Sequence, residues 1–351
     1  MKLVIEKRDQ TTPLSTFLGI VVAIIIACVI SALLILTSGS DISVAISSLY
    51  RGAFGSMNAF KETLVQSTPL LMISLAIVVA FRGRVWNIGA EGQFFAGAIA
   101  AAWVSMNYAD LPRPLLLFLI LLAAAIAGGI WGILPGVLKA YWGVSEIIVT
   151  VMMNYIIKYV LSYLLSNAWT DVGDFFMQSP RFAESTWLPT FFNSRLHLGF
   201  FLALFLSVFI YILIDKTPFG YALRSIGDNP TAARYKGINI KLIVVLAMVI
   251  SGAIAGLAGG AELNGLNHRL RLDISNNYGF TAILVALLGR LNPFGVIIAS
   301  IAFGALVNGS TAMQIFADVP VALVFCVQGI VLFCVLAIEP LTYYQIRRVP
   351  K

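Results

Sequence analysis

One long apolar run of the sequence carries a polar residue at every fourth position: Glu146, Thr150, Asn154, Lys158, Ser162 and Ser166. Four residues turn an α-helix by about 400°, so the row drifts slowly and forms one narrow, winding stripe. A charged side chain at the centre of a membrane helix costs about 2.5–3.5 kcal/mol, so these residues are expected to face water or a partner. The stripe therefore predicts either a helix that lines a solute path or one that hydrogen-bonds to neighbouring helices.

A second polar group lies in the segment NIGAEGQ, which opens another apolar run rich in small residues. Polar side chains at a helix start opened by glycine favour a discontinuous helix whose first N–H groups point into a cavity. The alternative is that Glu91 pairs with Arg82 or Arg84 at the inner boundary of the membrane and anchors the fold. Together the two groups supply the candidate residues of a translocation path: Asn87, Glu91, Gln93, Glu146, Thr150 and Asn154.

The composition restricts the class of protein that must position these residues. Hydrophobic residues make up 60% of the 351, charged residues make up 11%, and the mean hydropathy is +0.93. A soluble domain has about 25% charged residues. The composition therefore predicts an all-α polytopic membrane protein. The net charge of +7 does not indicate nucleic acid as a partner, because the basic residues lie in short loops beside apolar runs.

The apolar runs predict about ten membrane-spanning helices, judged against the roughly 20 residues that a bilayer requires. They lie near residues 14–37, 63–82, 87–107, 115–138, 145–167, 198–214, 242–261, 279–289, 293–312 and 320–338. The semi-polar stretch 38–61 is expected outside the membrane. With the N-terminus in the cytoplasm, cytoplasmic Lys and Arg outnumber external ones by about two to one. The whole chain, 1–351, is thus expected to form one transmembrane domain with both termini cytoplasmic.

Segment 216–241 is the longest basic, helix-capable stretch outside the apolar runs. Asp228 and Asn229 provide a capping signal, and Pro230 suits a first helical turn, where its missing N–H is not needed. Gly237 can end the short helix in the left-handed conformation. We therefore expect a small folded cytoplasmic element rather than a flexible linker.

Two rows of glycines at intervals of four predict close helix packing, a structural role. They are Gly128, Gly132 and Gly136 in one run, and Gly252, Gly256 and Gly260 in another. His197 and His268 are expected at opposite span ends, which argues against a paired metal site. The sequence contains no H-E-x-x-H, G-x-S-x-G or G-x-x-x-x-G-K-[ST] motif, so any use of ATP requires a second chain.

Several of these stretches together resemble the membrane permeases of bacterial ATP-binding-cassette (ABC) importers, in the branched-chain amino acid and monosaccharide permease superfamily. Within it, the chain is most similar to the nucleoside (simple-sugar-type) group. The resemblance covers about residues 50 to 340, and its matching stretches keep their order and spacing. They are NIGAEGQ at 87–93, LPGVLKAYWGVSEIIVTVMMNYI at 134–156, LRSIGDNPTAARYKGI at 223–238, ISGAIAGLAGGAE at 250–262, GFTAILVALLGRLNPFG at 279–295 and VPVALVFCVQG at 319–329.

The resemblance implies a bundle of about ten helices and a role for segment 216–241 in coupling to an ATPase. The segment matches the importers' E-A-A-x-x-x-G loop, although Thr231 replaces the acidic residue. The residues expected to couple are Pro218, Gly220, Arg224, Gly227, Asp228, Asn229, Ala232, Ala233 and Gly237. The implied partners are a second homologous permease, a cytoplasmic ABC ATPase, an extracytoplasmic substrate-binding lipoprotein and the lipid of a bacterial cell membrane.

The expected function is nucleoside import without any cofactor bound by this chain, since the ATPase uses the ATP. Three alternatives remain open at this point. The cargo could instead be a monosaccharide or a branched-chain amino acid. The chain could be a proton- or sodium-coupled transporter that works alone. An intramembrane enzyme or a scaffold would need a paired catalytic constellation at mid-depth, and the sequence shows none.

Overall fold

A computed structural model describes residues 2–7, 13–37, 39–171, 176–342 and 344–349. Its α-helices are α1 (Pro13–Thr37), α2 (Ile42–Phe54), α3 (Met57–Arg82), α4 (Ala90–Asn107), α5 (Arg113–Trp142), α6 (Glu146–Ser166), α7 (Leu198–Lys216), α8 (Pro218–Asp228), α9 (Pro230–Tyr235), α10 (Ile240–Glu262), α11 (Tyr278–Leu288), α12 (Pro293–Phe316) and α13 (Val321–Thr342). A π-helical turn, Leu263–Asn267, continues α10. The strands β1 (Lys2–Lys7) and β2 (Tyr344–Val349) form an antiparallel pair.

Ten spans and an all-α fold were expected, and a helix lies over each predicted span. Six helices among the described residues are long and apolar enough to cross a membrane by length and composition: α3, α5, α6, α7, α12 and α10 with its π-helical turn. Shorter apolar helical stretches cover 21–36, 278–288 and 321–331. The all-helical body is confirmed, whereas the number of crossings stays a prediction.

Two elements were not predicted. Stretch 38–61 contains helix α2, which begins where the Asp41 carboxylate accepts the N–H of Ser43 at 2.7 Å. The pair β1–β2 adds a small sheet to the all-α prediction, and β-branched residues such as Val4 and Ile346 favour the extended conformation. The pairing brings residues 2–7 beside residues 344–349; the side of the membrane on which the termini lie stays a prediction.

The described residues fall into two compact units, of which the first contains residues up to Phe60 and from Ala305 onward. In this unit α1 packs against α13 through Ala23, Ala27 and Cys334. The side chain of Asn308 donates hydrogen bonds to the carbonyls of Gly52 and Ala59, at 2.8 and 3.0 Å. These bonds fix α2 and the first turn of α3 against α12.

The second unit, Lys61–Gly304, contains the candidate site. Helix α3 is buried along most of its length, from Leu70 to Phe81, as expected for a helix that is apolar on all sides. Helices α4, α5 and α10 pack together beside it. The predicted glycine rows form the contact between α5 and α10, because a Cβ on Gly128 would overlap the carbonyl of Gly252, and one on Gly132 would overlap that of Met248. The prediction of close packing is confirmed.

Two adjacent glycines of α5 test this contact. We expect Gly128→Ala to lower the free energy of unfolding by about 1–3 kcal/mol, because the added methyl group has no room. Gly129→Ala is the matched control, since its Cβ would meet the nearest atom at an ordinary 3.4 Å. It should leave stability unchanged or raise it slightly, since alanine favours a helix more than glycine does. Melting temperatures of both variants in detergent give the comparison, and equal values would contradict the packing argument.

Candidate functional site

The start of α4 is a junction of buried polar groups. The Asn87 side chain accepts the N–H of Gly89 at 3.0 Å and donates to Gln93 Oε1 and to Ser251 Oγ, both at 2.8 Å. Ser251, on α10, donates in turn to the carbonyl of Ala76 on α3 at 2.7 Å. Helices α3, α4 and α10 are thus joined by side-chain hydrogen bonds at the point where α4 begins.

Helix α6 contributes to the same junction through Asn154. Its side-chain oxygen accepts the N–H of Gly92 at 2.8 Å, and its amide donates to the carbonyl of Ile88 at 3.0 Å. The first N–H groups of α4 were expected to point into a cavity; those of Gly89 and Gly92 are instead bonded by the side chains of Asn87 and Asn154. Thr150 donates to the carbonyl of Glu146 in its own helix at 2.7 Å.

Glu91 is fully buried, and its carboxylate has three partners. It accepts the Ser275 hydroxyl at 2.9 Å and the N–H of Gly279 at 2.7 Å, and the Lys158 ammonium lies 3.4 Å away. Gly279 is in the first turn of α11, where a helix favours negative charge. The predicted alternative, a pair with Arg82 or Arg84, is wrong, because the partner is a lysine from α6.

Glu146 makes the second ion pair of this region. Its carboxylate lies 2.7 Å from the Lys139 ammonium on α5, and it accepts the backbone N–H of Trp86 at 3.4 Å. The contact with Trp86 lies in the irregular segment 83–89 between α3 and α4. Glu146 therefore joins α5 and α6 to the connection that leads into the start of α4.

The polar stripe of α6 turns out of the bundle along its length. Glu146 and Asn154 are buried, Lys158 is partly exposed and Ser166 is exposed. Each step of four residues adds about 40° of rotation, so the five steps add roughly 200° and the ends of the stripe lie on different sides of the helix. The three candidate path residues on the stripe, Glu146, Thr150 and Asn154, therefore lie in its buried half, next to the other three candidates at the start of α4.

The hydrogen bonds of these candidates also identify residues that the sequence analysis did not select. Ser251, Ser275 and Gly279 complete the polar junction, from α10 and from the start of α11. Ser251 precedes Gly252 in the small-residue row of α10, and this neighbourhood is the one sequence signal that could have marked it. Nothing in the sequence marks Ser275 and Gly279 as partners of a residue more than 180 positions earlier.

An apolar groove of about 480 Å³ lies between α4, α5 and α6. It is lined by Ala96, Ala100, Trp103, Trp131, Ile157 and Val160, among others. No candidate path residue contributes to this lining. The groove therefore offers hydrocarbon and indole surface, and the polar junction is separate from it.

Segment 216–241 folds into α8 and α9, as predicted. Thr217 caps α8 by accepting the N–H of Gly220 at 3.2 Å, and Asn229 caps α9 by accepting the N–H of Ala232 at 3.1 Å. Pro230 occupies the first turn of α9, and Gly237 has a left-handed φ of 78°. The predicted places of Pro230 and Gly237 are confirmed. Of the two predicted capping residues, Asn229 caps α9, whereas Asp228 ends α8.

Helix α8 lies directly against the ends of two long helices. A Cβ on Gly220 would overlap the carbonyl of Ile214 at the end of α7, and one on Gly227 would overlap that of Arg82 at the end of α3. Arg224 pairs with Asp215 at 2.7 Å and donates to the carbonyl of Ile214. The segment is thus fixed to the ends of α3 and α7 by backbone contact.

Helix α9, in contrast, projects into solvent. Ala233 is buried and anchors it, whereas Ala232 and Arg234 are exposed and Tyr235 is 90% exposed. Lys236 donates to the Tyr221 hydroxyl at 2.9 Å, and this hydrogen bond lowers the pKa of Tyr221 and raises that of Lys236. Arg234, Tyr235 and Lys236 thus form a basic and aromatic surface on an anchored helix end, which a partner could contact.

His197 lies at the start of α7, and His268 follows the π-helical turn at the end of α10. The His197 ring is buried against Gly265, and its Nδ1 accepts the N–H of Gly199 at 3.1 Å. His268 follows the π-helical turn and stacks on Trp187 with ring centres 4.1 Å apart. The two histidines lie at opposite ends of their spans, the start of α7 and the end of α10, as predicted, but both rings lie beside the same π-helical turn. Among the described residues, no group of three or more His, Cys, Asp or Glu side chains could hold a metal ion.

Comparison with known proteins places these features in a family. The family described as "Branched-chain amino acid transport system / permease component" matches residues 59–336. The guanosine ABC transporter permease protein NupP of Bacillus subtilis is 39% identical over 92% of this chain and 93% of its own length. The glucose ABC transporter permease protein TsgB13 of Haloferax volcanii is 32% identical over 81% and 78%. The nucleoside ABC transporter permease protein NupB of Lactococcus lactis is 31% identical over 83% of each chain. No solved structure matches this chain significantly.

Burial of His197 predicts a dependence of stability on pH. Burial and, secondarily, His268 lower the pKa of His197 from 6.5 to about 4, so the unfolded chain binds the proton more tightly. The stabilising contribution is complete above pH 6.5 and is lost as the pH falls towards 4. Between pH 8 and pH 5 the loss should be about 2 kcal/mol.

The matched variant for this prediction is His197→Asn, in which the side-chain oxygen can replace Nδ1 as the capping acceptor but does not titrate in this range. We expect its melting temperature in detergent to fall less between pH 8 and pH 5 than that of the wild type. Parallel curves for the two proteins would show that another group causes the acid sensitivity.

Proposed function

Since this chain belongs to the branched-chain amino acid transport system / permease component family, we propose that it is a permease subunit of an ABC importer that carries a nucleoside into the cell. The observation that supports this proposal best is the structure of segment 216–241, in which α8 is fixed to the ends of α3 and α7 while α9 remains exposed. Because this chain has no phosphate-binding loop, a separate ATPase must bind to it, and α9 offers an exposed surface through which a conformational change of the ATPase can be transmitted.

The proposed coupling runs through backbone contacts. An ATPase that binds α9 would also move α8, because the side-chain caps of Thr217 and Asn229 hold the two short helices together as a rigid element. Gly227 lies against the carbonyl of Arg82, and segment 83–89 leads directly from there to Asn87. Motion of α8 therefore reaches the polar junction at the start of α4 within a few residues, and alternating access follows from rearrangement of the helices that meet there.

The relatives support the choice of cargo. Two of the three are named for guanosine or nucleoside transport, and the third is named for glucose. We therefore propose a nucleoside as the cargo and retain a monosaccharide as the second candidate.

The remaining partners follow from the same proposal. A second, homologous permease completes the path, a cytoplasmic ATPase binds α9, and a substrate-binding lipoprotein delivers the solute from outside. The complex lies in the bacterial cell membrane with both chain ends in the cytoplasm. This chain itself binds no cofactor and performs no covalent catalysis.

Purification followed by transport tests the proposal. The tagged chain, extracted gently from its native membrane, should bring with it an ABC ATPase and a second permease. The complex in proteoliposomes with its binding protein should take up guanosine only with ATP, and a proton uncoupler should not matter. Uptake by the chain alone, without ATP and abolished by the uncoupler, would instead establish an ion-coupled transporter.

Gly237 offers a sharper test of the coupling segment. Gly237→Val should abolish most ATP-driven uptake in a folded protein, because a β-branched residue resists the φ of 78° that ends α9. Gly237→Asn is the control, since asparagine tolerates this conformation, and it should retain most uptake. Size-exclusion profiles establish folding of both variants. Normal uptake by a folded Gly237→Val variant would remove the proposed role of this helix end.

A further inference from the structure

Helix α6 has an exposed face made of tyrosines. Tyr155, Tyr159 and Tyr163 are 55%, 75% and 67% exposed, and their spacing of four residues places them on one side of the helix. That side is turned away from Thr150 and Asn154, which pack against the start of α4. We call these three residues the tyrosine face.

The tyrosine face extends into the middle of the helix. At 1.5 Å per residue, Tyr155 and Tyr159 lie about 13 and 20 Å along α6 from its first residue. For α6 as a span that crosses a hydrocarbon core about 30 Å thick, these distances place both rings in the middle third. Tyrosine in membrane proteins normally collects at the interfaces, where its hydroxyl reaches water.

The neighbouring helices show what a lipid-facing surface looks like in this protein. The exposed row of α5 contains only hydrocarbon side chains: Phe118, Leu122, Ile126, Ile130 and Leu134. The exposed side of α7 is similar, with Phe201, Phe205, Val208, Phe209 and Ile212. Helix α6 differs because it places hydroxyl groups at the same depth. Within the described part of the chain, no hydrogen bond to these three hydroxyls is found, and an unpaired hydroxyl in hydrocarbon is costly.

The three hydroxyls therefore require polar partners outside the described chain. Water and a nucleoside in a solute path would provide them. We propose that the tyrosine face lines the solute path and that the nucleobase moves along it by stacking on Tyr155 and Tyr159. The inference rests on the proposed function and assigns to it the residues that touch the solute. The buried candidates, such as Asn87 and Asn154, hold the start of α4 instead.

The chemistry of the face fits this ligand. A nucleobase presents two flat aromatic faces, and stacking on an aromatic side chain tolerates any base. Rings four residues apart lie about 6 Å apart along the helix, which allows transfer from one ring to the next. Lys158 is held by Glu91 and lies over the Phe95 ring, so its charge is directed away from this face. Phenol hydroxyls can also donate hydrogen bonds to ring nitrogens and sugar oxygens.

The first experiment measures ATP-driven uptake of labelled guanosine by the complete complex in proteoliposomes. Tyr159→Leu should reduce uptake at low guanosine concentration about 5- to 150-fold, the range expected for loss of one stacked base. Tyr159→Phe, which keeps the ring, should retain most of it. Phe205→Leu, on the exposed side of α7, is the matched control and should transport normally. Wild-type uptake by Tyr159→Leu would overturn the proposal.

The second experiment does not depend on the cargo. In a variant without Cys28, Cys326 and Cys334, Tyr159→Cys should react with a charged, water-soluble thiol reagent, and guanosine should slow the reaction. Phe205→Cys should not react, because it faces lipid. If Tyr159→Cys is equally inert, the face lies against lipid or a helix of the second permease, and the proposal fails. A third outcome is that Tyr159→Cys reacts but the wild-type protein transports glucose and not guanosine. This outcome would overturn the nucleoside as cargo and the stacking of a nucleobase on the tyrosine face, while the proposed coupling to an ATPase would stand.

Discussion

The buried carboxylate of Glu91 is the constraint on which the bundle depends. A charge without water needs partners, and each partner of Glu91 comes from a different part of the chain: Lys158 from α6, Ser275 from the loop after α10, and the N–H of Gly279 from the start of α11. Loss of any one would leave the charge under-solvated. The position of α4 is therefore fixed relative to α6 and α11, and the amides of Asn87 and Asn154 complete the same junction a few residues away.

This junction lies at the end of a short mechanical connection. Helix α8 contacts the end of α3 at Gly227, where only a glycine leaves room for the carbonyl of Arg82. Segment 83–89 then continues from α3 to the start of α4 and is held by Glu146 at Trp86. Contacts between backbones transmit displacement better than contacts between flexible side chains. Close backbone contacts at Gly220 and Gly227 thus lie between the exposed α9 and the polar junction.

The features that sequence could predict are those set by local physics. The cap at Asn229, the place of Pro230 and the conformation of Gly237 depend on neighbours within a few residues, and all three are confirmed. The glycine rows predicted close packing, because a missing side chain is visible in one sequence. Partners distant in sequence were not visible, so the alternative that gave Glu91 an ionic partner named Arg82 or Arg84, whereas the partner is Lys158. Treating the drift of the α6 stripe as negligible likewise hid its turn out of the bundle.

Polarity in a membrane helix therefore has two meanings that sequence alone does not separate. A buried polar group such as Asn154 has found its partners inside the protein, and its bonds hold the fold. An exposed polar group at the same depth, such as Tyr159, still requires water or a solute. A permease needs both kinds, because a surface that already satisfies its own hydrogen bonds cannot bind a passing solute, and one that binds strongly would not release it. Rings that stack without fixed hydrogen bonds meet this requirement at a helix whose other side is firmly held.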